Sequence, residues 1–203
     1  MRIAIVQFEE VPEIILSVER AGMQAECVSP SESLDEYDGY IFLQKISSSP
    51  EVCRDKPVLG IGQGARFLVE AGLVPGVENN KAVIDWMDHS QEHPESMQLS
   101  NDYQLNAFTR HLDPKNILRI SRAESYFVIP PALLIEMQLQ GLTVFQYGSA
   151  ENIAAVSNKA GNIMAMIPYF ESASTWDLIF QSMHDYIRAG HVQSVAPLNY
   201  FKR

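Results

Sequence analysis

Cysteine is scarce in this chain: Cys27 and Cys53 are the two among 203 residues. Two thiols make no disulfide framework, and neither a Cys-x-x-Cys pair nor closely spaced histidines offer a metal site. Both cysteines read as small core or surface residues. Basic charge is also in short supply, with 15 Lys and Arg against 25 Asp and Glu and a formal net charge of −10. Binding a phosphate backbone draws on clustered cations that release counterions, so no nucleic-acid partner is expected. Long apolar runs are missing too. The opening Ile3-Ala-Ile-Val6 runs into Glu9-Glu10 and is too short for a membrane span or the core of a secretory signal. No membrane partner is expected, and the chain reads as cytoplasmic.

What is present is a globular pattern. With 46% hydrophobic and 20% charged residues, composition and length suit one domain over 1–203. Apolar runs of strand length alternate with helical stretches, which predicts an α/β fold: a mostly parallel sheet with helices on both faces. Arg2–Phe8 is a continuous apolar run suited to a central strand. Pro12 opens a helix whose face is lined by Ile14, Ile15, Val18 and Ala21, and Gly22 ends it. Further strands are predicted near Gln24–Val28, Gly39–Leu43 and Val58–Ile61, then a helix from about Ala65 to Ala71. Ala82–Met87 suits a strand, and Ser90–Asp102 reads as loop. Order returns with Asn116–Ser121, a helix near Pro131–Gln140 and a strand at Leu142–Tyr147. Ile153–Ser157 and Asn162–Ile167 flank Asn158-Lys-Ala-Gly161, predicting a small antiparallel hairpin. In the last helix Ser174-Thr-Trp-Asp177 resembles a capping box, Trp176, Ile179, Phe180, Met183 and Ile187 form one apolar stripe, and Gly190 follows the final turn.

The segment Lys56-Pro-Val-Leu-Gly-Ile-Gly-Gln-Gly64 followed by a helix has the layout of a nucleophile elbow, a sharp turn that lifts one side chain above the end of a parallel sheet. Its apex is Gly62. Viewed alone, Gly60, Gly62 and Gly64 fit any tight strand-to-helix turn, an anion-binding nest included. The adjoining Phe67-Leu-Val-Glu-Ala-Gly-Leu-Val-Pro-Gly76 tips the reading toward the elbow only through the family resemblance it carries. Two further blocks are Arg122-Ala-Glu-Ser-Tyr-Phe127 and the stretch from Tyr147 to Glu171, which closes on Pro168-Tyr-Phe-Glu171.

In this order and spacing the three blocks resemble the class I glutamine amidotransferases, and within them the glutaminase subunit or domain of phosphoribosylformylglycinamidine synthase, an enzyme of purine biosynthesis. The resemblance runs from Arg2 to about Arg188. It implies a flavodoxin-like amidotransferase fold and a synthetase partner. The family's overall reaction converts formylglycinamide ribonucleotide, glutamine and ATP to formylglycinamidine ribonucleotide, glutamate, ADP and phosphate. Its chemistry uses a cysteine thiolate, a histidine that shuttles the proton, a glutamate that orients the histidine, and backbone amides that hold the oxyanion. Carried over position by position, the nucleophile falls on Gly62, the histidine on Tyr169 and the orienting acid on Glu171. Glu171 alone is retained. The oxyanion stretch, expected after the third strand, corresponds to Gln44-Lys-Ile-Ser-Ser-Ser-Pro50, which has no Gly-Gly.

Two segments imitate the missing groups. His93-Pro94-Glu95 has the letters of the family's closing motif but precedes the last core strands. Cys53 lies before the elbow strand and so enters the sheet at the end opposite the site. His89, His111, His184 and His191 show no ligand spacing and read as surface or capping residues, His184 standing on the last helix without a partner. The resemblance thus points to an amidotransferase-like protein without glutaminase activity, a structural or regulatory partner of a synthetase, needing no cofactor. The alternative is a stand-alone protein whose relict pocket near Gly62, Tyr169 and Glu171 holds a small-molecule ligand. New chemistry built on Tyr169 and Glu171 ranks third, because no nucleophile or metal motif accompanies them.

Overall fold

The structure is a computed structural model, which describes residues 1–6, 11–44, 55–76, 85–88, 95–100, 105–122, 125–148 and 152–190. In chain order the elements are β1 (Arg2–Val6), α1 (Pro12–Arg20), β2 (Gln24–Val28), β3 (Gly39–Phe42), β4 (Val58–Ile61), α2 (Gln63–Glu70), β5 (Asp85–Asp88), β6 (Ser96–Leu99), β7 (Leu118–Arg122), β8 (Ser125–Val128), α3 (Pro131–Leu139), β9 (Thr143–Gln146), β10 (Ile153–Ser157), β11 (Ile163–Met166), β12 (Tyr169–Phe170) and α4 (Ala173–Arg188). One sheet runs β12-β7-β6-β9-β10-β11-β4-β3-β1-β2, and β5 pairs with β8 in a separate ribbon. From β2 to β11 neighbours are parallel. From β11 to β12 they are antiparallel, so the predicted β10–β11 hairpin belongs to a longer antiparallel run.

Alternation along β1 explains the two layers. Ile3 and Ile5 face a core shared with Ile14 and Val18 of α1 and Ile179 and Phe180 of α4. Ala4 and Val6 face the opposite core, shared with Ala65 and Leu68 of α2 and Leu133 and Met137 of α3. Period-2 side-chain placement thus buries both faces of the central strands, and each face needs its own helices. The fold class is the expected one.

Several details differ from the sequence reading. Residues 96–99, expected in a loop, form β6, where Met97 and Leu99 are buried and alternate with half-buried Ser96 and Gln98. Antiparallel pairing to β7 and β9 creates that strand. Four residues with two apolar positions carry too little pattern to announce it, because sheet context overrides local preference. Residues 90–94 and 101–102 of the expected loop lie outside the described residues, as do 7–8 of the first predicted strand and 82–84 of the strand predicted at Ala82–Met87, the remainder of which falls in β5. Helix α2 starts at Gln63, two residues earlier than predicted, directly at the elbow. Helix α4 is capped by Ser172, whose hydroxyl accepts the Ser174 amide at 3.2 Å. Ser174 is therefore inside the first turn, and the capping-box reading is corrected. Asp177 instead binds Arg20 of α1 at 2.7 Å, fastening the two helices of one layer.

His184 also has a partner. Its Nδ1 lies 3.3 Å from Asp185 Oδ1, while His111 Nε2 meets Asp185 Oδ2 at 2.8 Å, tying the β6–β7 connection to α4. The His111 bond, then the His184 bond, hold the Asp185 carboxyl below its ordinary range. A carboxyl whose folded pKa lies below its unfolded value stabilises the fold above the unfolded value, about 3.9, and loses that contribution as pH falls through the folded one. Because the pair is partly exposed, Asp185→Asn is expected to cost only about 0.2–1 kcal/mol at pH 7. The gap from wild type should close below about pH 4, as measured by urea unfolding at both pH values.

Candidate active site

β4 delivers Gly62 to the carboxyl edge of the sheet, where α/β folds gather their sites. The Gly62 amide donates to the Met166 carbonyl at 2.9 Å, which pins the turn to the end of β11. Its backbone sits at φ 56°, ψ −113°, immediately before the first residue of α2. That is a conformation side-chain-bearing residues rarely adopt. The neighbouring glycines have a different reason to be glycine. A Cβ on Gly60 would lie 2.6 Å from both the Gly64 oxygen and Leu68 Cδ1, and one on Gly64 would overlap the Phe42 carbonyl at the end of β3. The spacing of three glycines therefore serves one turn and one close helix-to-sheet approach.

A Cβ on Gly62 meets no such obstacle. Its nearest contacts would be Tyr169 Cε2 at 3.6 Å, Tyr169 Oη at 3.7 Å and the Ile167 oxygen at 4.0 Å, all ordinary van der Waals distances. Gly62→Ala should therefore be limited by backbone strain alone, roughly 1–3 kcal/mol, measured by urea unfolding. An unchanged midpoint would show that the turn is not held in this conformation.

Tyr169 reaches the elbow from the strand that follows β11. β12 pairs antiparallel with β7, setting Tyr169 opposite Arg122. The register shifts between Tyr169 and Phe170, and both side chains pack on the same side, Phe170 fully buried in the core and Tyr169 at its margin. The Tyr169 ring is half-buried and meets the buried Trp176 edge-on, with centroids 6.4 Å apart. Trp176 is fixed in turn by Phe170 at 4.8 Å and by stacking on Phe180 at 5.9 Å. Glu171 is exposed, and its amide donates to the Arg119 carbonyl at 3.1 Å.

The structure thus brings Gly62 and Tyr169 into contact distance and leaves Glu171 two residues further on, at the surface. A phenol ordinarily titrates near pH 10, so it is a poor base at neutral pH. Residues 45–50, where the oxyanion stretch would lie, are outside the described residues, as are Cys53, His89, His93 and His191. Glu95 is exposed; its carbonyl accepts the Ile120 amide just before β6, far in chain order from β11. Cys27 is exposed on β2, at the other edge of the sheet. Among the described residues no cluster of His, Cys, Asp or Glu is arranged to hold a metal, and no helix is long and apolar enough to cross a membrane. The sequence reading placed Trp176 in an apolar stripe, and its part in holding Tyr169 went unseen. No residue spacing signals a contact between a helix and the strand before it across a site.

No protein-family model matches the chain. It is 33% identical over 141 residues to phosphoribosylformylglycinamidine synthase subunit PurQ of Aquifex aeolicus, a match that covers 60% of this chain and 58% of that relative. The chain thus spans little more than half the length of that relative. The subunit PurQ of Pyrococcus furiosus is 26% identical over 223 residues, covering 87% of this chain and 93% of the relative. Among solved structures, a chain in the structure of PurLQS from Thermotoga maritima superposes with a TM-score of 0.63 at 20% identity, over 92% of this chain and 98% of that one. That superposition speaks for the fold. Together with the sequence matches, it establishes that the chain resembles the class I glutamine amidotransferases, in particular the glutaminase subunit PurQ of purine biosynthesis.

Proposed function

We propose that this protein is a noncatalytic relative of the PurQ subunit that serves as a structural or regulatory partner of a synthetase. One observation carries the reading. The turn that lifts the nucleophile in the amidotransferases is kept in shape, yet its apex is Gly62 and the residue facing it is the phenol of Tyr169. A glycine has no atom with which to form a thioester, and a phenol does not take up a proton at neutral pH. Gly60 and Gly64 still serve the close packing behind the turn. The scaffold is maintained where the chemistry is not, which fits a role in assembly. Relatives named as synthase subunits support a synthetase as the partner.

The test is recovery of partners from native lysate on the tagged, full-length wild-type protein, with identification by mass spectrometry. Co-purification of a phosphoribosylformylglycinamidine synthetase at stoichiometric level is expected. Recovery of the protein alone, carrying a bound small metabolite, would replace this reading with that of a stand-alone binder.

A further inference from the structure

We propose that residues 198–201, Leu-Asn-Tyr-Phe, dock on the outer face of α3, brought there from the end of α4 around the edge of the sheet at which β4 and β9 begin. The inference does not depend on how Gly62 is read. α3 is apolar on both sides. Leu133 and Met137 are buried in the core, while exposed Ala132, Ile135 and Leu139 recur at helical spacing away from it. Ile135 is 59% exposed and Leu139 83%. Glu136 is the one charged residue of the helix. A helix apolar all round is ordinarily covered on every side.

A second copy of the chain suits this face poorly. The 9 residues of α3 make a strip only about 13 Å long, well short of the roughly 800 Å² per partner that a stable pair buries. A segment of the same chain needs less area, because its tether holds it at about millimolar effective concentration. Residues 191–203, which follow α4, supply one. They contain no acidic residue and carry Leu198, Tyr200 and Phe201 close together, then Lys202 and Arg203. Those two cations suit Glu136, on a chain whose formal net charge is −10.

The segment also has the reach. Met183 of α4 crowds Gly39, the first residue of β3, beside Pro57 just before β4. α4 therefore leaves at the edge where these strands begin. β9 runs in the same direction as β4, since β4 and β11 are parallel and β11–β10 and β10–β9 are both antiparallel. α3 leads into β9, so it ends at that edge too, where the Leu142 amide donates to the Met137 carbonyl at 2.9 Å. In the sheet, β10 and β11 stand between β9 and β4, a lateral offset of about 14 Å. Helix layers on opposite faces of a sheet lie about 20 Å apart. The resulting path of about 25 Å takes roughly eight extended residues. Counted from Gly190, that brings Leu198 to the exposed end of α3 at Leu139.

Chymotrypsin cleavage after Leu198, Tyr200 and Phe201 in the full chain, followed by mass spectrometry, tests the docking. A segment that must first open is cut in proportion to the population of its open form. The reference is a synthetic peptide with the sequence of residues 191–203. Wild type is expected to be cut at these bonds at least about ten-fold more slowly than the peptide. Ile135→Ser combined with Leu139→Ser, which alters two exposed positions, should bring the rate close to that of the peptide. Wild type cut as fast as the peptide, or protection unchanged in the double variant, would overturn the docking. Protection that grows with protein concentration would overturn it in favour of a second copy. Should the double variant not fold, Glu136→Lys takes its place: it sets a like charge against Lys202 and Arg203, so faster cleavage than in wild type is expected and an equal rate overturns the proposal.

Discussion

Gly64→Ala is expected to destabilise the protein more than a substitution at the apex Gly62, although Gly62 has the rarer backbone conformation. The methyl added at Gly64 would overlap the carbonyl of Phe42 and lie 2.9 Å from the Leu43 amide nitrogen. Neither side yields easily. Phe42 ends β3, which is paired on one side with β1 and on the other with β4, while Gly64 sits in the first turn of α2, whose Ala65, Phe67 and Leu68 are buried. Relief requires lifting α2 from the sheet or shifting the end of a central strand. The expected cost is at least the upper end of the overpacking range, about 3 kcal/mol. For a chain of this length that corresponds to a fall in Tm of about 6–12 °C. Differential scanning calorimetry, with Gly62→Ala alongside, checks the ranking. A Gly64→Ala protein melting at or above Gly62→Ala would show that helix and strand are not this close.

How far the sequence reveals this arrangement depends on how local the signal is. The central strands and α4 were legible because burial on both faces, or a sustained apolar stripe ending at Gly190, leaves a pattern several residues long. β6 was not, since its two apolar residues acquire meaning only once β7 and β9 lie beside them. The start of α4 was misplaced because Ser172 and Ser174 are both plausible caps, and the choice between them is made by where the chain leaves β12. At the site, the glycine spacing after an apolar strand announces a tight strand-to-helix turn, and it took the resemblance in the adjoining Phe67–Gly76 stretch to read that turn as an elbow. The approach of Tyr169 was not: it arises from β11 lying parallel to β4 and from the chain turning back through β12, both tertiary facts. Family resemblance alone assigned Tyr169 to the same site as Gly62. The reason Gly60 and Gly64 cannot carry side chains became visible only with the Phe42 carbonyl and Leu68 in place.

The second large effect concerns catalysis. A working amidotransferase triad gains its rate from groups acting together, and removing nucleophile and base from such a unit typically lowers turnover on the order of a millionfold. Here the apex offers no attacking atom, and the facing side chain is a phenol 3.7 Å from where a Cβ would be. Restoring one group should not restore the rate. Gly62→Cys is expected to remain at the blank, since the introduced thiol would face Tyr169 with no imidazole to take its proton. Adding Tyr169→His supplies a base beside Glu171 but not the Gly-Gly stretch of the family, so the double variant should stay far below a functional enzyme.

Glutamate production from glutamine by the purified wild-type protein, with and without a synthetase partner and against a buffer blank, is the most direct test of the central claim. No glutamate above the blank is expected in either case. Turnover that survives the combined Cys27→Ala and Cys53→Ala replacement would contradict it, because hydrolysis would then proceed without any thiol in the chain. Turnover abolished by Cys53→Ala alone would contradict it differently, by making Cys53 the nucleophile in place of the position now held by Gly62.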